Sequence, residues 1–239
     1  LYLLHGILGN YTDWVTGTRI QALANDRNLC VVMPSGDNKF YCDSALSGDK
    51  YGSFIAKDLV EFIQDTFPVS KAREDTIIGG LSMGGFGSIV NALRNPDTFG
   101  YVCALSSALI KEGILHSVNE LGRDFFTRRQ YETLFGVEKV EDYAGSENDY
   151  EALADGLKDA PNKPKIYMAC GTEDGLFPAN VAFRDKLIAD GFDVTWEEGP
   201  GAHNWAFWDA YIEKALNWLP LSDAVKGVSS ENVGVTDKK

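Results

Sequence analysis

Cysteine, histidine and long apolar runs are all scarce in this chain of 239 residues. The four cysteines show no CxxC spacing, which argues against a zinc site or a redox pair: Cys30, Cys42, Cys103 and Cys170. The three histidines do not cluster with cysteines or acids, so we expect no metal ion and no cofactor. No apolar stretch approaches the roughly 18–20 residues of a membrane-spanning helix, and the GxxxxGK(S/T) pattern of a phosphate-binding loop is absent.

Basic residues are also few, with 22 lysines and arginines against 35 acidic residues and a formal net charge of −13. Nucleic acids and anionic membrane surfaces bind proteins through a basic face, so neither is an expected partner. Hydrophobic residues make up 44% and aromatic residues 12% of the sequence, which excludes a wholly disordered chain. This length and composition are those of one folded domain with a sizeable core.

Short apolar runs alternate with longer segments of helical periodicity along the chain. The predicted strands are Leu1–Leu4, Leu29–Met33, Thr76–Leu81, Tyr101–Leu105, Ile166–Cys170 and Phe192–Trp196. The predicted helices are Trp14–Asn25, Tyr51–Phe67, Gly85–Arg94, Tyr150–Leu157, Ala179–Asp190 and Trp205–Leu219. Near-continuous apolar strands are typical of parallel sheets covered on both faces. The alternation therefore predicts an α/β fold, with a mostly parallel sheet flanked by helices.

The folded domain is expected to span residues 1–220. Within it, residues 107–164 break the alternation, because they are rich in charge and contain no clear strand. We expect a mostly helical insertion there. Residues 221–239 are polar and lack helical periodicity, which predicts a loose C-terminal tail.

The most informative motif is Gly80-Leu81-Ser82-Met83-Gly84, which follows a predicted strand and opens a predicted helix. This is the GxSxG pattern in the strand–turn–helix context of a nucleophile elbow. The glycines allow a sharp turn with close packing, and the helix N-terminus faces the negative charge that develops during attack. We therefore predict Ser82 as a nucleophile, the alternative being a glycine-rich structural turn.

A serine hydroxyl is a weak nucleophile and needs a base, most often a histidine. His203 lies in a glycine-rich loop between the last predicted strand and the last helix, at the same edge of the sheet as Ser82, and is the predicted base. The chain order Ser–acid–His requires a carboxylate between them, and Glu173 and Asp174 both follow the preceding strand. Asp174 is favoured because the glycine after it fits a turn toward the site, which leaves Glu173 facing solvent.

Acyl transfer also needs donors for an oxyanion. The backbone N–H of Met83, directly after the nucleophile, is one predicted donor, and that of Ile7, in the glycine-containing loop after the first strand, is the other. Three aromatic residues on loops at this edge are candidates for the wall of an acyl pocket, and core packing explains each equally well: Trp14, Phe177 and Trp205.

Four segments together resemble the esterase D-like group of α/β-hydrolases: Leu3-Leu4-His5-Gly6, Gly80-Leu81-Ser82-Met83-Gly84-Gly85, Gly171-Thr172-Glu173-Asp174 and His203-Asn204-Trp205-Ala206-Phe207-Trp208. This group includes S-formylglutathione hydrolases, feruloyl and acetyl-xylan esterases and the antigen 85 mycolyltransferases. Within it, the chain looks most like bacterial tributyrin esterases. The resemblance runs from Leu1 to about Pro220 and implies an α/β-hydrolase fold with Ser82, Asp174 and His203 as the triad. Members of the group carry strands before the Leu-Leu-His-Gly element, so the resemblance implies that N-terminal edge strands are lacking here.

These observations predict a serine carboxylesterase that hydrolyses short-chain acyl esters, or acyl or feruloyl groups on carbohydrate, through an acyl-enzyme on Ser82. An S-formylglutathione hydrolase-type thioesterase or an acyltransferase would use the same residues, because only the leaving group or the acceptor differs. A non-catalytic binding protein on the same fold is a third hypothesis, and a complete Ser-His-Asp set argues against it. We expect a small-molecule ester as the partner and a cytoplasmic location, and we allow for a homo-oligomer.

Overall fold

A computed structural model describes residues 1–122 and 125–222. Residues 223–239, where most of the loose tail is predicted, lie outside the described residues. Within the described ranges, five strands form one sheet whose order follows the chain: β1 (Tyr2–Leu4), β2 (Ile77–Leu81), β3 (Tyr101–Leu105), β4 (Lys165–Gly171) and β5 (Val194–Gly199). All neighbouring pairs are parallel, which confirms the predicted α/β fold. The carboxyl ends of all five strands therefore share one edge of the sheet.

The helices between the strands are α1 (Asp13–Gly17), α2 (Ile20–Asn25), α3 (Tyr51–Ser53), α4 (Leu59–Thr66), α5 (Met83–Arg94), α6 (Lys111–Leu115), α7 (Arg128–Phe135), α8 (Tyr150–Gly156) and α9 (Phe177–Ala189), and α10 (Trp205–Trp218) follows the last strand. A π-helical turn, Phe54–Asp58, joins α3 to α4, so one predicted helix is continuous but locally wound wider. The predicted helix Trp14–Asn25 is instead two short helices, α1 and α2. Across the described ranges, no helix combines the length and the apolar character that crossing a membrane requires.

The segment Leu29–Met33 does not form the strand that its apolar composition predicts. It makes one parallel bridge, between Val32 and Tyr2, with two backbone hydrogen bonds of 2.8 Å to Leu1 and Leu3. Its side chains are half-buried or exposed, although Val32 packs on one apolar layer and Leu29, Val31 and Met33 on the other. Apolar composition alone does not reveal this difference from the central strands, whose side chains are almost all buried.

The sheet separates two apolar layers, and neighbouring residues of a strand point into opposite ones. Ile78 and Val102 belong to the layer that contains α5. Ile77 and Cys103 belong to the layer that contains α10. Since α5 follows the predicted nucleophile and α10 follows the predicted base, both helices that adjoin the site are anchored in the core.

The segment between β3 and β4 carries α6, α7, a 3-10 turn at Val140–Tyr143, and α8. Its aromatic side chains pack on α5. Phe135 and Tyr150 lie against Phe86, with ring centroids 6.0 and 6.1 Å away. The described part of this segment is therefore helical and joined to the helix that begins at the candidate nucleophile.

Candidate active site

Ser82 stands between the last residue of β2 and the first residue of α5. Its backbone has φ 54° and ψ −117°, a strained conformation that L residues seldom adopt and that tends to occur at functional sites. Its N–H donates to the carbonyl oxygen of Leu105 (2.9 Å), and its own carbonyl accepts from the N–H groups of Phe86 and Ala108. The turn is thus tied to β3, to α5 and to the loop after β3, which holds the hydroxyl at the carboxyl edge of the sheet.

Two glycines of the motif let the elbow pack closely. A Cβ added to Gly84 would overlap the carbonyl oxygen of Leu4, and one on Gly80 would lie 2.5 Å from the backbone of Gly84. Contacts this short do not occur for real side chains. Strand β1, the elbow and the start of α5 therefore approach one another to a distance that only glycine permits.

His203 lies in the loop between β5 and α10. Asn204 caps that helix, its side chain accepting from the N–H of Phe207 (3.1 Å). The loop touches the one after β4, where the N–H of Glu173 donates to the carbonyl of Gly201 (3.0 Å). A Cβ on Gly171 would overlap the same Gly201 carbonyl. This close contact brings the loop of His203 against the loop that carries the two candidate acids.

The structure brings Ser82, His203 and Asp174 together in one hydrogen-bonded chain. His203 Nε2 is 3.0 Å from Ser82 Oγ, and His203 Nδ1 is 2.8 Å from Asp174 Oδ2. An ionised carboxylate can only accept, so Nδ1 carries the proton and Nε2 accepts from the Ser82 hydroxyl. The Asp174 side chain is only 1% exposed, whereas Glu173 is exposed, as the turn after β4 suggests.

The Asp174 carboxylate is buried but well supplied with donors. Its Oδ1 accepts from the N–H of Leu176 (2.9 Å) while its Oδ2 faces His203. Burial works to raise the pKa of Asp174, but the hydrogen bonds from His203 and from Leu176 outweigh it and hold the pKa below its usual value. The group is therefore ionised at neutral pH and can stabilise a positive imidazole beside it.

The two predicted oxyanion donors both adjoin Ser82. Met83 is the first residue of α5 and directly follows the serine. The loop of Ile7 passes over the elbow, because a Cβ added to Gly6 would lie 2.7 Å from Leu81 Cδ1 and 3.6 Å from Ser82 Cβ. In the part of the chain that the structure describes, the Ile7 N–H makes no hydrogen bond.

The three aromatic residues predicted for a pocket wall have different environments. Trp14 is 1% exposed, and its Nε1 donates to the carbonyl of Leu4 (2.9 Å), so it belongs to the core and does not face a substrate. Trp205 is half-buried and packs edge-to-face on Trp14, with ring centroids 5.8 Å apart. Phe177 is also half-buried, and its N–H donates to the carbonyl of Asp174 (2.9 Å). Phe177 is thus tied to the acid, whereas Trp205 packs on Trp208, the ring that contacts the histidine.

One further residue touches the site and is not among the predicted site residues, although it ends the His203–Trp208 segment that carries the family resemblance. Trp208 packs edge-to-face on His203, with ring centroids 4.9 Å apart and an interplanar angle of 89°. It is 6% exposed and belongs to α10. Its place in that segment is the signal available in the sequence, because an apolar position on a helix is one that any core residue provides equally.

Across residues 1–122 and 125–222, no three or more histidine, cysteine, aspartate or glutamate side chains are placed to hold an ion.

Comparisons with known proteins identify the family of the chain. The family described as "Putative esterase" matches residues 1–219. An acetyl esterase of Caldicellulosiruptor saccharolyticus is 40% identical to the chain over 220 residues, which cover 92% of this chain and 82% of that protein.

Two solved structures from Staphylococcus aureus also superpose well. The fluorophosphonate-binding serine hydrolase F, in a substrate-bound form, gives a TM-score of 0.79 at 31% identity. An S-formylglutathione hydrolase gives a TM-score of 0.77 at 32% identity. Each superposition covers 91% of this chain and 82% of the other one. With a family match over almost its whole described length and a relative at 40% identity, the chain belongs to this esterase family and has its α/β-hydrolase fold.

Proposed function

We propose that the protein is a serine carboxylesterase that hydrolyses short-chain acyl esters through an acyl-enzyme on Ser82. The observation that carries this proposal is the hydrogen-bonded chain from Ser82 through His203 to Asp174. A hydroxyl on a strained elbow, beside a neutral imidazole whose tautomer is fixed by a carboxylate, is the arrangement required for nucleophilic catalysis. Identity of 40% to an acetyl esterase supports ester hydrolysis as the reaction.

Attack begins when His203 Nε2 takes the proton of the Ser82 hydroxyl as Oγ bonds to the ester carbonyl carbon. The imidazolium that forms keeps its Nδ1–H on Asp174, whose negative charge stabilises it. The N–H groups of Met83 and Ile7 donate to the carbonyl oxygen as it becomes an oxyanion. Each such donor contributes about 10²–10³-fold to the rate in enzymes of this type.

The tetrahedral intermediate then collapses. His203 returns the proton to the leaving alkoxide, so an alcohol departs and the acyl group stays on Ser82. Water then attacks the acyl carbonyl while Nε2 accepts one of its protons. The second tetrahedral intermediate collapses, the bond from the acyl carbon to Ser82 Oγ breaks, His203 returns the proton to that oxygen, and the carboxylic acid leaves. The His203 side chain is 36% exposed, which leaves room for water beside the base.

The acyl group is proposed to lie against Phe177 and Trp205, since both are half-buried, with Phe177 tied to the acid and Trp205 packed on the ring that contacts the histidine. A short acyl chain, as the acetyl esterase relative supports, or an acyl or feruloyl group carried on carbohydrate, is the proposed substrate class. The homo-oligomer and the cytoplasmic location stay predictions from the sequence.

Thioester hydrolysis is a second candidate function. An S-formylglutathione hydrolase shares the fold at 32% identity. A thioester passes through the same acyl-enzyme, and an acyltransferase differs only in replacing water by another acceptor. The leaving group and the acceptor therefore separate these activities, while the roles of Ser82, His203 and Asp174 stay the same.

The test compares p-nitrophenyl acetate, butyrate and octanoate with S-formylglutathione, using wild type, Ser82→Ala and Ser88→Ala. Ser88 is the matched control because it is a buried serine of α5 whose hydroxyl donates to the carbonyl of Gly85 (2.9 Å). We expect fast hydrolysis of acetate and butyrate, a loss of about 10⁴–10⁶-fold in Ser82→Ala, and near wild-type rates in Ser88→Ala. Equal rates in wild type and Ser82→Ala would refute the proposal, and a clear preference for the thioester would select the second candidate.

A further inference from the structure

His5 is a buried histidine that the mechanism above does not use. It lies just after β1 and is 1% exposed. Its Nδ1 is 2.6 Å from the carbonyl oxygen of Gly6, and its Nε2 is 2.9 Å from the backbone nitrogen of Gly36. A backbone N–H can only donate, so Nε2 is the acceptor and Nδ1 carries the proton. The surroundings of His5 therefore fix one neutral tautomer, whose N–H donates to Gly6.

The carbonyl that His5 binds belongs to the same peptide unit as the Ile7 N–H. A trans peptide is planar, and its C=O and N–H point in opposite directions. Anchoring the Gly6 oxygen therefore fixes the direction of the Ile7 N–H. The Gly9 N–H also donates to this oxygen (3.2 Å). Hydrogen bonds to a carbonyl polarise the peptide, which makes its N–H a stronger donor.

Tyr41 holds His5 from the opposite end. Its hydroxyl donates to the His5 carbonyl (3.0 Å), and the two rings pack edge-to-face with centroids 5.7 Å apart. Gly36, whose N–H donates to His5 Nε2, also lies directly against Tyr41, because a Cβ added to Gly36 would overlap the Tyr41 ring.

The backbone at Tyr41 and at the residue before it is strained. Phe40 and Tyr41 have φ values of 52° and 56°, in a region that residues other than glycine seldom occupy. Both are buried, and the Asn91 side chain of α5 donates to the Tyr41 carbonyl (3.0 Å). Strain of this kind persists only where the surroundings dictate the conformation. The position of the His5 ring is therefore set by the loop around Tyr41 and by α5.

We propose that His5 is a positioning residue for ester hydrolysis: acting through the Gly6 carbonyl, its Nδ1–H aims and polarises the Ile7 N–H toward the oxyanion. This role rests on the proposed esterase function. Because the donor matters most once negative charge has formed, loss of His5 should lower kcat and leave KM nearly unchanged. A purely structural histidine would instead lower stability without this split.

Three substitutions separate the two hydrogen bonds of His5. In His5→Asn, the amide nitrogen lies near the former Nδ1 and can still donate to Gly6. In His5→Gln, the amide oxygen reaches toward the former Nε2 and can accept from Gly36, but the bond to Gly6 is lost. His5→Ala loses both. With p-nitrophenyl acetate we expect kcat to fall about 10–100-fold in His5→Gln and His5→Ala, with KM within about 3-fold, and His5→Asn to recover most of kcat.

A second readout is the affinity for a methyl trifluoromethyl ketone, which binds as an oxyanion adduct on serine. It should weaken in parallel with kcat. His116→Ala is the control, since the His116 side chain is 79% exposed. If His5→Ala does not fold, Tyr41→Phe tests the support of His5 instead. This variant keeps the ring and removes only the hydrogen bond from the Tyr41 hydroxyl to the His5 carbonyl. A smaller fall in kcat is expected.

Failure of the esterase proposal and failure of the role of His5 give different results. A wild type that hydrolyses neither esters nor thioesters refutes the proposed function, and the role of His5 with it. An active wild type whose kcat is retained in His5→Gln, or reduced equally in His5→Asn and His5→Gln, refutes the role of His5 alone. Thermal unfolding of each folded variant shows whether stability accounts for the change.

Discussion

The indole ring of Trp208 stands perpendicular to the imidazole of His203, with the ring centroids 4.9 Å apart. His203 itself lies in a loop, whereas Trp208 is buried in α10. Through Trp208, helix α10 therefore packs against the histidine whose two ring nitrogens face Ser82 and Asp174. The orientation of the imidazole depends on this packing as well as on its two hydrogen bonds.

Replacing Trp208 with leucine should lower kcat/KM for p-nitrophenyl acetate by about 2–10-fold. An edge-to-face pair contributes roughly 0.5–1.5 kcal/mol beyond burial, and loss of that free energy from the transition state corresponds to this factor. Trp208→Phe retains a ring and should recover part of the loss. Trp218→Leu is the control, because Trp218 lies at the other end of α10 and packs on Tyr101 and Tyr167. An equal loss in both leucine variants would mean that general weakening of α10, and not contact with His203, is responsible.

Asp174→Asn should reduce kcat far more than Glu173→Gln. An asparagine can present an N–H to His203, which favours the tautomer that cannot take a proton from Ser82. In Ser-His-Asp enzymes this substitution costs about 10⁴-fold. Glu173 is adjacent and exposed, so its neutralisation controls for the change of charge and should leave kcat within about 2-fold. Comparable activity of the two variants would argue against Asp174 as the orienting acid.

Acid should remove the contribution of Asp174 to stability. The pKa of Asp174 is held below its usual value in the folded protein, so folding favours the ionised form. This contribution is complete at pH values above the pKa of the unfolded chain, about 3.9, and is lost as the pH falls through the lower folded value. Urea unfolding midpoints of wild type and Asp174→Asn should therefore differ at pH 7 and converge as the pH falls below about 4. A difference that is constant with pH would contradict this assignment.

Gly84→Ala should destabilise the fold because its Cβ would overlap the Leu4 carbonyl, a backbone atom that cannot rotate away. Overpacking of this kind costs about 1–3 kcal/mol or more. Gly156→Ala is the matched control, since a Cβ there meets no atom within 4 Å, and its unfolding midpoint should equal or exceed that of wild type. Thermal unfolding measures both. A Gly84→Ala midpoint close to that of wild type would show that β1 and α5 can move apart.

The chain order and local motifs were enough to predict which three polar residues meet. Ser82 lies within a run of glycines whose spacing specifies the elbow, and parallel strands carry Asp174 and His203 to the same edge. These features depend on a few neighbouring residues and on strand direction, both of which can be predicted from a sequence.

Features that depend on packing between distant segments could not be predicted. Trp14 is as apolar as Trp205, and only tertiary packing makes one fully buried and the other half-exposed. Likewise, the tautomer of His5 is set by Gly36, thirty-one residues away. Leu29–Met33 has the composition of a strand, but its single bridge reflects its place beside the short strand β1.

The sequence distance between the nucleophile and its base also has a kinetic meaning. Ser82 and His203 are 121 residues apart, and β5, which precedes the loop of His203, pairs with β4. Contacts between segments this distant carry a large loop-closure entropy and slow the folding of a chain. A refolding chain becomes a hydrolase only when its C-terminal third has joined the sheet, so regained ester turnover would time that step directly.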